Sequence, residues 1–568
     1  MQPMNLHQMP YTCRGSYMVL SHVVENYQGR GNSEGLYLRT IHNSANTPLI
    51  AKVSLRLEGM GDPQLDGTVL HFDGTAGSLR FCFADAQTLL IQGSAGAGLQ
   101  LDFLTECGPY DYIYELAHQG QTLYMANCYK NNNRYLISVQ EGCCQLDQCW
   151  EESSSLYSRL NIGGERGFLC MVKEIETEWD QHLPHWDFDA ARQRMEQDLQ
   201  AYLADMPALA PAYQQMGRMA GYLNWSSIVR PDGFLKREAM YMSKNWMTNV
   251  WSWDHCFNAL ALAYGQPELA WDEFMIMADF QDASGRLPDS ISDSKIVWNY
   301  CKPPVHGWAL RRMLRHMTLT ADQTRQAYDF LDKWTCWWMN YRRHNGLYDY
   351  NHGNDSGWDN ATAFAVLPPV ATPELQADMI VQMQVLADLA AHLGMNGEAA
   401  RWKQEAQAHL ALFLDKCFRN DLPVAIQCST GEIVECKSLL PYEVLVLGES
   451  LPLRIREAII KVLKSDSFLT AHGFATESPA SPFYRDDGYW RGPIWAPSTM
   501  LLVDGLDQCG EMDFAREIAR RFADMVCLSG FAENFDAKTG AGLRDLAYTW
   551  TASVAIVLAK DYLTDQEG

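Results

Sequence analysis

Hydrophobic and polar positions along this chain follow two rhythms, and the change between them falls near residue 180. Between residues 17 and 173, short runs rich in β-branched and aromatic residues alternate with turn residues. Residues 49–57, 79–83 and 135–139 each read as a strand, since apolar runs this short, bounded by glycine and polar residues, are too brief for a helix. Gly61, Gly67, Gly74, Gly93, Gly98 and Gly108 supply turns. The pattern predicts an antiparallel β-sandwich over residues 1–185. Residues 188–202 form a polar, amphipathic stretch that predicts a helical linker over 186–207. From 208 to 568 the apolar period becomes that of a helix. Helices are expected over 253–262, 271–280, 304–316, 321–343, 373–393, 398–417, 438–447, 453–463, 494–506, 513–525 and 546–558, with Thr372 as a candidate N-cap. Trp334, Trp337 and Trp338 stand at i, i+3, i+4 and mark a buried helix face. Paired helices in this number suit a closed double ring.

Composition narrows the function. The chain has 568 residues, of which 47% are hydrophobic and 20% charged, enough to bury a sizeable core in two domains. A formal net charge of -24 repels nucleic acid and anionic membrane surfaces, so neither is an expected partner. The first residues lack a basic stretch followed by an apolar one, and no apolar run approaches the roughly 18 residues that span a bilayer. Sixteen cysteines are scattered without the density of a disulfide framework. A cytoplasmic protein with free thiols is expected. Sequons at Asn224, Asn354 and Asn360 do not change this, because a glycan at either of the last two would obstruct the loop discussed next. No feature specifies an oligomeric state.

Candidate chemistry concentrates in the helical part, which holds fifteen of the eighteen tryptophans. Trp251, Trp253, Trp298, Trp358, Trp490 and Trp495 sit among Gly, Pro, Asn and Asp, where an exposed indole face would stack on a sugar ring. Asp254 follows Trp253 at a helix start and reads equally as an N-cap or a ligand-binding carboxylate. Gly285-Arg286-Leu287-Pro288-Asp289 reads as a turn. Asn354-Asp355-Ser356-Gly357-Trp358-Asp359-Asn360 packs two acids around a glycine and an indole. Glu533 opens Glu533-Asn534-Phe535-Asp536-Ala537-Lys538-Thr539-Gly540, and Tyr489-Trp490-Arg491-Gly492-Pro493-Ile494-Trp495 precedes it. The glycines at 93 and 98 lack the strand-turn-helix setting of a phosphate loop. His182 and His185 form an H-x-x-H without a third ligand at suitable spacing, so no metal is expected.

In this order, WSWDHCF, GRLPD, DSGWDN, YWRGPIW and ENFDAKTG resemble glycoside hydrolase family 63, with kinship to the family 37 trehalases, over roughly residues 217–560. The resemblance implies an (α/α)6 toroid, inversion at the anomeric carbon and no cofactor. It implies that Asp359 is the general acid and Glu533 the general base. Trp253 and Asp254 would hold the terminal sugar, and Trp490, Arg491, Gly492 and Trp495 would line the pocket; Asp355 and Trp358, beside the acid, are also expected to bind substrate. An inverting glycosidase needs one carboxyl protonated and one ionised. Asp359 beside Trp358 should be pushed toward the acid form, while Glu533 beside a polar turn suits an ionised base. Asp355, in the same loop, is a rival for the acid.

The expected function is exo-acting, inverting hydrolysis of small α-glucosides or oligosaccharides. An α-mannosylglycerate, glucosylglycerate or trehalose substrate is the alternative. A toroidal polysaccharide lyase would favour a basic cleft, and a non-catalytic sugar-binding protein would not need both acids.

Overall fold

The computed structural model describes residues 2–27, 31–42, 49–103, 110–175 and 184–564. The chain divides into two compact units. The first comprises Met1–Ala204, Trp225–Gly233 and Ser243–Thr248, and the second Asp205–Asn224, Phe234–Met242 and Asn249–Gly568.

The first unit holds an antiparallel β-sandwich. Its nine-stranded sheet runs in the order Gln2–Pro3, Gln64–Asp66, Val69–Asp73, Ser78–Asp85, Thr88–Gly93, Phe168–Ile175, Asn133–Glu141, Gln121–Cys128, Tyr112–His118. Its six-stranded sheet runs Cys143–Glu151, Ser154–Gly163, Gly98–Asp102, Leu49–Arg56, Gly35–Thr40, Met18–Val23. Gly93 and Gly98 thus end one strand and begin the next, in different sheets. Strand alternation explains the layers: Cys82, Ala84, Leu90, Leu136 and Met171 form one apolar face, while Phe81, Phe83, Leu89, Ile91 and Ile137 are buried on the other.

The stretch expected as a linker is the helix Phe188–Ala204, and it belongs to this unit. Its Phe188 and Ala191 pack on the nine-stranded sheet, which gives an exposed apolar face a cover. Residues 225–233 and 243–248, expected in the helical part, also belong here. The reason is a buried cation: Lys244 Nζ donates to the carbonyls of Cys13 (3.1 Å), Ser16 (2.7 Å) and Ile228 (3.0 Å). Burial depresses the Lys244 pKa to about 7.

The second unit is the (α/α)6 toroid. Six helices contact one another in a closed inner circle: Asp254–Leu262, His306–Met313, Pro373–His392, the 3-10 segment Leu440–Ser450, Ala496–Gln508 and Thr549–Tyr562, the last packing back on the first. These helices are buried nearly all round; every residue of Asp254–Leu262 is inaccessible or nearly so. The outer helices show one apolar stripe. In Leu453–Leu463 it is Ile455, Ile459, Ile460 and Leu463, and in Ala321–Tyr341 it includes Trp334, Trp337 and Trp338, as their spacing predicts. Helix Gln214–Ser227 was not expected from the sequence; its polar face and short apolar run conceal it. Thr372 stands at the N-cap position, but its hydroxyl bonds to Glu374 rather than to a backbone amide. Among the described residues no helix is long and apolar enough to cross a membrane.

Candidate active site

The motifs meet in the loops that precede inner helices, and two three-stranded ribbons align them. In one, Val250–Trp251 pairs with Ser290–Ile291, which pairs with Ile296–Val297, so Trp253 and Asp254 stand beside Asp289. In the other, Ile494–Trp495, Asn534–Phe535 and Gly542–Leu543 pair in turn, with Trp495 opposite Asn534. Asn360 ties the third loop to the second ribbon. Its Nδ2 donates to the Gly488 carbonyl (3.0 Å), its Oδ1 accepts from the Trp490 amide (3.0 Å), and its own carbonyl accepts from Arg491 Nε (2.6 Å). Arg491 is therefore committed to holding a loop.

Two glycines in these loops answer to close approach. Gly357 has φ +76°, and a Cβ there would lie 2.5 Å from the Trp253 ring. Gly492 has φ +148°, and its Cβ would lie 2.1 Å from the Arg485 carbonyl oxygen.

Asp254, Asp359 and Glu533 converge on Tyr489, whose hydroxyl bonds to Glu533 and which lies in the field of all three. Tyr489 adopts φ +63°, a conformation uncommon for a bulky residue, and Trp495 Nε1 donates to its carbonyl (2.9 Å). Burial raises the pKa of all three acids. Asp254 reaches about 8, with Lys302 opposing and Asp289 and Asp359 adding. Asp359 is raised by burial, with Lys302 opposing and Asp289 adding. Glu533 is pushed up to about 8 by burial and Asp545, against the pull of a backbone amide and Arg544. The polar setting expected for Glu533 is thus corrected: it is 5% exposed, with Tyr489, Tyr548 and Asp545 as electrostatic neighbours.

Asp355 is buried, and three donors occupy its oxygens: Arg342 Nη1 (3.0 Å), the Asn351 amide (3.1 Å) and the Cys301 amide (3.1 Å). Asp254 is the first residue of its helix; Trp253 occupies the cap position without a side-chain cap bond. The expectation of open indole faces is overturned for four tryptophans. Trp253, Trp358, Trp490 and Trp495 are at most 3% exposed. Trp490 stacks on Trp495 (3.9 Å between centroids, 7°) and lies 4.5 Å from Trp358, and Trp550 packs on Trp253 and Trp495. Loops rich in glycine and proline read as exposed locally, but here they clasp one another. Trp251 and Trp298 remain partly exposed.

Several site residues escaped the sequence reading. Lys302 Nζ donates to the Asn354 carbonyl (2.7 Å) and Asn354 Oδ1 (2.5 Å), forms an ion pair with Asp289 Oδ1 (3.1 Å), and its charge reaches Asp254 and Asp359. Asp289 ended a segment read only as a turn, and Tyr489, Tyr548 and Asp545 carry no spacing signal. The one hint for Lys302 was its place before two prolines and a helix start. The three sequons are structural: Asn224 Nδ2 donates to Ser553 Oγ (3.0 Å), and Asn354 and Asn360 make the bonds just described. His182 lies outside the described residues, and His185 is exposed.

Comparison with known proteins gives this geometry a lineage. A glucosylglycerate hydrolase of Mycolicibacterium hassiacum is 24% identical over 405 residues, covering 54% of this chain and 91% of that protein. The crystal structure of a GH63 mannosylglycerate hydrolase from Thermus thermophilus aligns with a TM-score of 0.54 at 17% identity, over 61% of this chain and 99% of that one. A bacterial glucoamylase aligns with a TM-score of 0.67 at 10% identity, over 99% of this chain and 94% of that one. Residues 247–551 match the family model described as the mannosylglycerate hydrolase MGH1-like glycoside hydrolase domain, a span that contains Asp254, Asp359 and Glu533, and the chain belongs to this family of O-glycosyl hydrolases within GH63.

Proposed function

We propose that the chain is an inverting, exo-acting hydrolase of an α-glycosylglycerate, with glucosylglycerate as first choice and mannosylglycerate as second. The observation that carries the reading is the convergence of Asp254, Asp359 and Glu533 around Tyr489 in the loops that precede the inner helices. Asp359, partly exposed and raised by burial, protonates the glycosidic oxygen; Glu533 draws a proton from the attacking water. Asp254, kept neutral by burial, both donates to and accepts from hydroxyls of the terminal sugar. Asp355, Arg491 and Gly492 position the loops, and Trp358, Trp490 and Trp495 form a rigid block behind them. The names of the relatives support a glycerate aglycone over a general α-glucoside. The fifteen described cysteines are free thiols, which suits action in the reducing cytoplasm on a small carbohydrate.

One observation favours exchanged roles: Glu533 rises to about 8, whereas Lys302 restrains Asp359. Glycosyl fluorides separate the two readings, since fluoride leaves without a proton. Asp359→Asn should hydrolyse the fluoride far better than the glycerate substrate. Glu533→Gln should fail on both, and added azide should restore turnover by displacing fluoride to give the inverted glycosyl azide. The opposite pattern assigns the acid to Glu533.

A further inference from the structure

Three chain segments of the β-sandwich, none of them part of the glycosidase motifs, bring two imidazoles and a carboxylate together. His22 lies on strand Met18–Val23, and its amide donates to the Leu6 carbonyl (3.0 Å), which draws the turn carrying His7 against the strand. The strand register sets His22 opposite Leu36 and Val23 opposite Gly35, so Glu34 emerges at the same edge. The two rings have centroids 3.9 Å apart, tilted by 42°. One ligand atom from each of His7, His22 and Glu34 lies within 4.8 Å of the other two. His22 Nδ1 is buried and has no hydrogen-bond partner.

We infer that His7, His22 and Glu34 form a binding site for a divalent transition-metal ion, with zinc the closest chemical match. Two imidazole nitrogens and a carboxylate oxygen are a common zinc donor set, and metal-ligand distances near 2.0–2.2 Å ask the donors to draw somewhat closer than they stand. His7 and Glu34 are exposed and have the freedom to do so. His7 and His22 also line a cavity of about 670 Å³ walled by Met4, Leu6, Leu36 and Val53, which leaves room for water or a small ligand at the remaining position. Lys52, whose ammonium donates to Ser33 Oγ (2.5 Å) and to the Glu34 carbonyl (3.0 Å), is the nearby opposing charge. Two similar groupings are less suited. His255, Cys256 and His306 are sealed in the toroid core, and His344 is engaged with Asp349 at 2.7 Å. A bound ion would tie the His7 turn to two strands, and so would stabilise the first unit.

The full-length chain, stripped with a chelator, should be titrated with Zn²⁺ against a chromophoric competitor. It should take up one more equivalent than a His7→Ala/His22→Ala variant, and Zn²⁺ should raise its unfolding temperature but not that of the variant. Glu34→Gln should weaken that equivalent by roughly tenfold or more, in line with the 10- to 100-fold that even loss of a supporting group costs. Should the double variant fail to fold, His7→Ala alone, at an exposed position, must show a comparable loss. Equal stoichiometry and affinity in wild type and variants would mean adventitious binding and would overturn the site.

Discussion

Asp355 and Asp359 share one loop, yet their surroundings give them different work. Asp355 spends both oxygens on Arg342 and two backbone amides, so Asp355→Asn should leave a partly buried guanidinium without its hydrogen-bonded counter-charge and cost up to about 3 kcal/mol. Asp359→Asn removes a carboxyl that burial already holds toward its neutral form, so urea unfolding should change little while turnover drops by roughly 10² to 10⁴. Wild-type stability in the first variant, or wild-type turnover in the second, would reverse the assignment. That both acids stand in one loop was legible, because the motif spells it out. Which acid was spoken for was not, since the Cys301 amide comes from 54 residues away in sequence. The burial of Trp358, Trp490 and Trp495 was hidden for the same reason: each loop is covered by another loop.

At the scale of elements, the helices were readable from their apolar period, and helix 453–463 matches its expected ends. Boundaries drift where packing decides: 304–316 shortens to His306–Met313, and 271–280 begins at Pro267 and finishes as a 3-10 turn. The two ribbons that align the motifs are strands of two residues each, too short for any periodicity to reveal. Their precision rests on contacts such as that between Gly357 and Trp253. Gly357→Ala would place a methyl 2.5 Å from the indole at φ +76°. It should destabilise the toroid by roughly 1–3 kcal/mol and, by displacing Asp359, lower kcat by about 10²-fold. An alanine variant with normal kcat would show that the loop tolerates movement, and the positioning argument would fall.

For the whole molecule, the division into a β-rich and a helical part was visible in the change of rhythm, whereas the return of residues 225–233 and 243–248 to the first unit depends on contacts that no local pattern records. Buried acids give the fold a pH dependence of definite sign. Burial holds Glu273 and Asp378 to about 8 and raises Glu374 and Glu443 as well. The folded chain then keeps protons that the unfolded chain releases near its ordinary carboxylate values. Through these acids stability should fall as pH rises from about 4.5 to about 8, and Glu443→Gln should remove part of that fall. Buried His255, lowered to about 4, His409, lowered to about 3, and His306, lowered further, work in the opposite direction below about pH 6.5, because the unfolded imidazoles take up protons that the folded ones refuse. Lys244 does so above about pH 7, and Asp504, shifted down by Arg312 against its burial, acts only in acid. Urea midpoints with the same pH dependence in Glu443→Gln and in the wild type would refute the contribution of this acid. The central claim concerns chemistry: a single displacement on a glycosylglycerate. Proton NMR of glucosylglycerate hydrolysis in the first minutes, before mutarotation, tests it most directly. Release of glycerate with β-glucose as the initial sugar is the predicted result; initial α-glucose, or no hydrolysis of either glucosyl- or mannosylglycerate, would contradict it.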